Sequence, residues 1–196
     1  MRVLAFSDLH LDVAVRDAIL AAADAADLVI GAGDFASRRA GLAPFMAAFA
    51  PVAAKAVFVA GNNETVDELR GATSVPVLHG ETLDVGGIRI AGLGGSVPPL
   101  PHLTWGSFDL TEAEAGQLLA AIDGAEILVS HSPPKGVCDR HAQLGPIGSE
   151  AVLAAARRLT PQYLLCGHIH DDWDARGRIV KTEVMNLGPG VTWIEI

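Results

Sequence analysis

The chain has 196 residues, half of them hydrophobic and only 19% charged, which fits one folded domain over 1–196 and argues against disorder. A formal net charge of −9 makes duplex nucleic acid a poor partner. No apolar run reaches the roughly 18 residues of a membrane helix, so no membrane association is expected.

Short apolar runs alternate with Ala-rich helical stretches. Val3–Phe6 reads as a buried strand and Val13–Ala26 as a helix. Leu28–Ile30 is the next strand, followed by a helical segment at Pro44–Phe49 and strand Ala56–Val59. This β-α-β-α-β rhythm predicts a mostly parallel, buried sheet. Val75–Leu78, Thr82–Val85 and Ile88–Ala91 are then closely spaced strands, the last two joined through Gly86-Gly87. Gly92–Pro101 reads as loop. Thr111 and Glu114 form a capping box that opens a helix. Strand Ile127–Ser130, a Pro-rich loop, helix Glu150–Leu159 capped by Ser149, and strand Tyr163–Cys166 follow. Ile179–Lys181, Val184–Asn186 and Val191–Ile196 read as antiparallel strands. Two sets of strands, each needing helical cover, predict an α/β fold: a four-layer α/β/β/α sandwich of two mixed sheets.

Polar residues recur at the ends of strands. Asp8 and His10 follow the first, Asp34 the second, Asn62 the third, His131 strand Ile127–Ser130, and His168 and His170 strand Tyr163–Cys166. Ligand sites in α/β sheets lie beyond the carboxyl ends of strands, so these side chains are expected to converge. Asp, His and Asn offer oxygen and nitrogen donors without thiolate, which points to Mn, foremost, or to Fe, Zn or Mg. Seven donors exceed one ion and suit two divalent ions sharing a carboxylate.

The ordered set Asp8-Leu9-His10, Gly33-Asp34, Gly61-Asn62-Asn63-Glu64, His131 and Gly167-His168-Ile169-His170 resembles the calcineurin-like metallophosphoesterase superfamily, in particular its small, minimally decorated members. The resemblance implies that Asp8, His10, Asp34 and His170 hold one metal. Asp34, Asn62, His131 and His168 would hold the other, with Asp34 bridging. It further implies a four-layer fold and hydrolysis of a phosphate ester by a hydroxide between the ions. A small phosphodiester or nucleotide is the expected substrate.

One position departs from that pattern: Asn63 stands where the family carries His beside the leaving group. Asn can donate a hydrogen bond but cannot deliver a proton at neutral pH. His102, in the Gly/Pro-rich loop, or else His141, is the candidate to replace the missing acid. A catalytically weak, metal-binding regulatory protein and a nuclease are the alternatives; the acidic balance weighs against the nuclease.

The two cysteines, Cys138 and Cys166, lack a C-x-x-C spacing and read as reduced thiols, with Cys166 a buried strand residue. The start, MRVLAFSDLHLD, lacks a long apolar stretch, and a cytoplasmic location is expected. Trp105, Trp173 and Trp193 read as packing or loop anchors. Asp171, Asp172 and Asp174 read as a solvated turn.

Overall fold

The structure, a computed structural model, describes residues 1–100 and 104–196. In chain order the elements are β1 (Arg2–Phe6), α1 (Val13–Ala23), β2 (Leu28–Gly31), α2 (Leu42–Met46), a 3₁₀ stretch (Ala47–Lys55), β3 (Ala56–Phe58) and α3 (Val66–Ala72). The hairpin β4 (Glu81–Val85) and β5 (Ile88–Leu93), α4 (Glu112–Ala120) and β6 (Ile127–Ser130) come next. The short pair β7 (Arg140–His141) and β8 (Gly145–Pro146), α5 (Glu150–Leu159), β9 (Tyr163–Cys166), β10 (Arg176–Ile179), β11 (Thr182–Asn186) and β12 (Thr192–Glu195) complete the chain.

Two mixed sheets result, ordered β12-β1-β2-β3 and β10-β11-β9-β6-β5-β4. Strands β1, β2 and β3 are parallel, as are β5, β6, β9 and β11. Side chains alternate across each strand, and the core divides accordingly. Val3, Ala5 and Ile30 share one cluster with Ile127, Val129 and Leu165 of the other sheet. Leu4, Phe6 and Val29 turn the opposite way, onto Ile19 of α1 and Leu69 of α3. Leu128 and Leu164 likewise turn outward onto Leu119 of α4 and Val152 of α5. Each sheet therefore faces the other on one side and helices on the other, which is the expected α/β architecture.

Capping box Thr111–Glu114 and N-cap Ser149 form as the sequence predicts. Three details differ. Val75–Leu78 is not a strand: it makes a single bridge, Phe58 to Val77, because Pro76 has no N–H to continue a ladder. The last three strands are not one antiparallel group. Strand β11 is antiparallel to β10 but parallel to β9, while β12 crosses to the other sheet and pairs antiparallel with β1. Helix α3 lies in a stretch without a predicted element; Thr65 and Glu68 cap it reciprocally. Among the described residues no helix is long and apolar enough to cross a membrane.

Candidate metal centre

Parallel strands deliver their carboxyl ends to one rim. The loop after β1 runs beside the loop after β2: Asp8 N–H donates to Gly33 O at 2.9 Å and His10 N–H to Asp34 O at 2.9 Å. Asp8, His10, Asp34 and His168 adopt left-handed backbone, with φ of 56°, 44°, 59° and 69°. Such conformations cost free energy and persist where surrounding contacts over-determine them. Two glycines permit the crowding. A Cβ on Gly61 would land on the Asp34 carboxylate and backbone, and one on Gly167 would land on Ser7 and Asp8.

Ligand atoms of Asp8, His10, Asp34 and His170 all lie within 4.8 Å of one another. Nε2 of His10 is 3.2 Å from Nε2 of His170 and 3.6 Å from Oδ2 of Asp34. A second group meets the other Asp34 oxygen: Nε2 of His131 is 3.5 Å from Oδ1 of Asp34 and 3.2 Å from Oδ1 of Asn62. Asp34 thus turns one oxygen to each group. His168 packs its ring 5.0 Å from that of His131, and its Nε2 faces Ser96 Oγ at 3.2 Å, leaving Nδ1 for the second group.

Partners behind the donors set their orientation. His131 Nδ1 lies 2.8 Å from Ala32 O and His10 Nδ1 3.3 Å from Ala36 O. A carbonyl accepts only, so in the neutral ring Nδ1 carries the hydrogen and Nε2 is the nitrogen left for an ion. Asn62 Nδ2 donates to Ser107 Oγ at 2.9 Å, and that hydroxyl donates to Asp109 at 2.6 Å. This chain of bonds turns the Asn62 oxygen toward the site. Seven oriented N/O donors, two of them buried carboxylates, form a set that divalent cations fit.

Charge is concentrated here. Burial pushes the Asp34 carboxyl up, but the His131 and His10 imidazoles and the Asn63 N–H hold it well below the usual carboxylate range. Burial pushes His131 down, and the Asp34 carboxylate more than reverses this, to about 9. Burial and repulsion from His131 lower His168 to about 3.

Residues 1–193 match the calcineurin-like phosphoesterase superfamily domain. The chain belongs to this superfamily. The fold is similar to TT1561 of Thermus thermophilus, with a TM-score of 0.71 at 16% identity over 98% of this chain and 97% of that one. It is also similar to Yfce, a phosphoesterase from E. coli (TM-score 0.51, 14% identity, 98% and 81% covered). A 5'-nucleotidase precursor from Thermus thermophilus contains the fold in about half its length (TM-score 0.52, 18% identity, 98% and 50% covered). No curated protein matches the chain in sequence.

Within this phosphoesterase fold, the residue at the family's histidine position points inward. Asn63 is nearly buried: its Nδ2 donates to Asp34 Oδ2 at 2.7 Å, and its Oδ1 accepts the Arg38 N–H at 2.7 Å. Both ends of the amide are engaged by the protein. His102 lies outside the described residues.

Several contributors have contacts that the sequence does not reveal. Glu64 is fully buried and accepts N–H groups from Asp34, Phe35, Ala36 and Gly61 at 2.7–3.3 Å, clamping two ligand loops together. Burial and the Asp34 charge push its carboxyl up to about 7, and the Gly61 and Ala36 N–H groups keep it from rising further. Asp8 accepts from Ser7 Oγ, from the His168 N–H and from Trp173 Nε1, whose indole also stacks 4.3 Å from the His170 ring. Trp173 therefore anchors the loop that carries His168 and His170 directly. Asp171 and Asp172 are not a free solvated turn: they accept the N–H groups of Ala142 and Arg140 and tie the β7–β8 hairpin to the segment carrying His170.

Glu64→Gln is expected to destabilise the protein by about 3 kcal/mol, because the carboxamide nitrogen takes the place of Oε2 and faces the buried Ala36 N–H, which loses its acceptor. Thermal unfolding in chelator should show a melting temperature lower by roughly 6–12 °C. An unchanged temperature would mean that the loops hold their shape without the clamp.

Proposed function

We propose that the chain hydrolyses a small phosphate ester, a phosphodiester or nucleotide, using two divalent ions. Asp8, His10, Asp34 and His170 would hold one, and Asp34, Asn62, His131 and His168 the other. The observation that carries this reading is the Asp34 carboxylate, with one oxygen toward each donor group. Bound there, such ions supply an activated water nucleophile and neutralise phosphoryl oxygens. The protein's own part is positioning: carbonyls of Ala32 and Ala36 fix the imidazole tautomers, Ser107 fixes the Asn62 amide, and Glu64 holds the loops in register. Likeness to a phosphoesterase from E. coli and to part of a 5'-nucleotidase precursor supports the ester class. Mn²⁺ is the favoured ion.

The test is a panel of an aryl phosphodiester, an aryl phosphomonoester and cyclic nucleotides, with Mn²⁺ added and metal content measured. Hydrolysis that disappears with chelator supports the reading. Full loading with two ions and no turnover on any ester would favour the second reading, a metal-binding regulatory protein. The observation behind that second reading is the Asn63 amide, committed at both ends to protein partners.

Metal uptake should depend on pH in a defined direction. In the metal-free site the Asp34 carboxylate holds the His131 imidazole up at about 9 against its burial, so at pH 7 it carries a proton that an incoming ion must displace. Apparent affinity at the His131 group should rise about tenfold per pH unit from 7 to 9 and level off above. Calorimetry in buffers of different ionisation enthalpy should report about one proton released at pH 7 as the His131 group fills. A flat affinity profile would remove His131 from the ligand set.

A further inference from the structure

Beside the candidate centre lies a cleft of about 310 Å³, lined by Leu100, Ile147, Ile169, His141 and Asp171 together with the two histidines of Gly167-His168-Ile169-His170. We propose that it receives the uncharged, flat organic arm of the substrate, an aryl ring or nucleobase, while the phosphoryl group occupies the metal side. This rests on the ester-hydrolysis reading above and names the substrate class of the same site.

Three observations support it. First, the volume sits at the lower end of pockets that hold small organic ligands, about 300–1,000 Å³, and three of the lining residues are aliphatic. Second, the half-exposed Asp171 carboxylate in the cleft disfavours a second anion. Asp171 is held in place by the Ala142 N–H at 2.8 Å, so a polyphosphate or acidic arm would meet fixed negative charge. Third, His141 offers one oriented donor. Its Nδ1 accepts the N–H groups of Gln143 at 3.1 Å and Leu144 at 3.3 Å. Nδ1 thus holds a lone pair, and the ring hydrogen resides on Nε2. An Nε2–H donor beside the aliphatic residues Leu100, Ile147 and Ile169 suits the acceptor edge of a heterocycle. The hairpin bearing His141 is fastened to the His170 segment through Asp171 and Asp172, so cleft and centre keep a fixed spacing. His141 on this reading is a specificity-determining residue, a role different from replacing the acid.

The test compares binding of methylphosphonate, phenylphosphonate and a thymidine phosphonate to the Mn²⁺-loaded protein by calorimetry. It also follows the Leu100, Ile147 and Ile169 methyl resonances of the metal-free protein on addition of thymidine. Phenyl or nucleoside phosphonate should bind at least about tenfold tighter than methylphosphonate, and Ile147→Asp should remove that ratio. His141→Phe should weaken the nucleoside compound and spare the phenyl one if the arm is a nucleobase; equal affinities in wild type and His141→Phe assign the cleft to a plain aryl ring. Equal binding of all three phosphonates, with no methyl shifts, overturns the cleft proposal alone. Saturable methyl shifts without phosphonate binding or hydrolysis overturn the ester reading and leave the cleft as an aromatic-binding site.

Discussion

Asp34→Asn should lower kcat/KM at least about 10³-fold on every ester of the panel and leave no more than one ion bound with high affinity. The magnitude follows from the role. Removing a single transition-state donor typically costs about 10²–10³-fold, and Asp34 faces both donor groups at once. The choice of Asn separates charge from shape. Asp34 has φ of 59°, a left-handed conformation that Asn tolerates nearly as well. A carboxamide oxygen can keep the Asn63 N–H bond, seen at 2.8 Å, and the backbone bonds to Glu64 are untouched. The variant should fold with helix content close to wild type, and its thermal unfolding in chelator should be moderately lowered, because the carboxamide nitrogen now faces the Asn63 Nδ2 donor that Asp34 Oδ2 accepts at 2.7 Å. It should also drop the His131 pKa from about 9 toward the ordinary imidazole range, since the Asp34 carboxylate is what raises it. An NMR titration of the metal-free protein reads that shift independently of turnover. Retained activity with two ions bound would overturn the shared-carboxylate assignment.

The parts of this site that were legible in the sequence are those with one-dimensional signatures. Apolar runs such as Val3–Phe6 and Tyr163–Cys166 are buried on both faces, so they read as continuous strands. The donors follow them at short, regular offsets, and Asp8, His10, Asp34 and His170 do come together. What was not legible depends on partners distant in the chain. Nothing about Glu64 reveals that four backbone N–H groups will surround it, because three of those groups lie about thirty residues earlier. Strand β11 could not be assigned as parallel to β9, because its own hydrophobic pattern is the same whichever neighbour it takes. Asn63 is a mixed case. The sequence exposes the substitution, and only the folded loops reveal that its amide is spent on Asp34 and Arg38. Helix α3 is the reverse: Thr65 and Glu68 spell a capping box that the sequence already contains.

Asn63→His should raise kcat on an alkyl phosphate ester by about 10²-fold or more, within the range of positioned proton transfer, and change an aryl ester by only a few-fold. The asymmetry arises at the leaving group. A nitrophenolate departs without protonation, whereas an alkoxide does not. The acid form of the ring is the imidazolium, which carries a hydrogen on both nitrogens and has no lone pair. It therefore gives up the Arg38 N–H that Asn63 Oδ1 accepts at 2.7 Å and presents an N–H to the departing oxygen. The exchange has a cost at Asp34, which loses the Asn63 Nδ2 donor at 2.7 Å. Loss of such an outer partner typically lowers metal affinity about 10–100-fold, so the assay needs Mn²⁺ well above the wild-type requirement. The variant's alkyl-ester profile should fall as pH rises through the imidazole range, because the acid must hold its proton. The aryl-ester profile should show no such limb. Equal gains on both esters would attribute the effect to altered metal geometry, and no gain on either would place position 63 away from the departing oxygen.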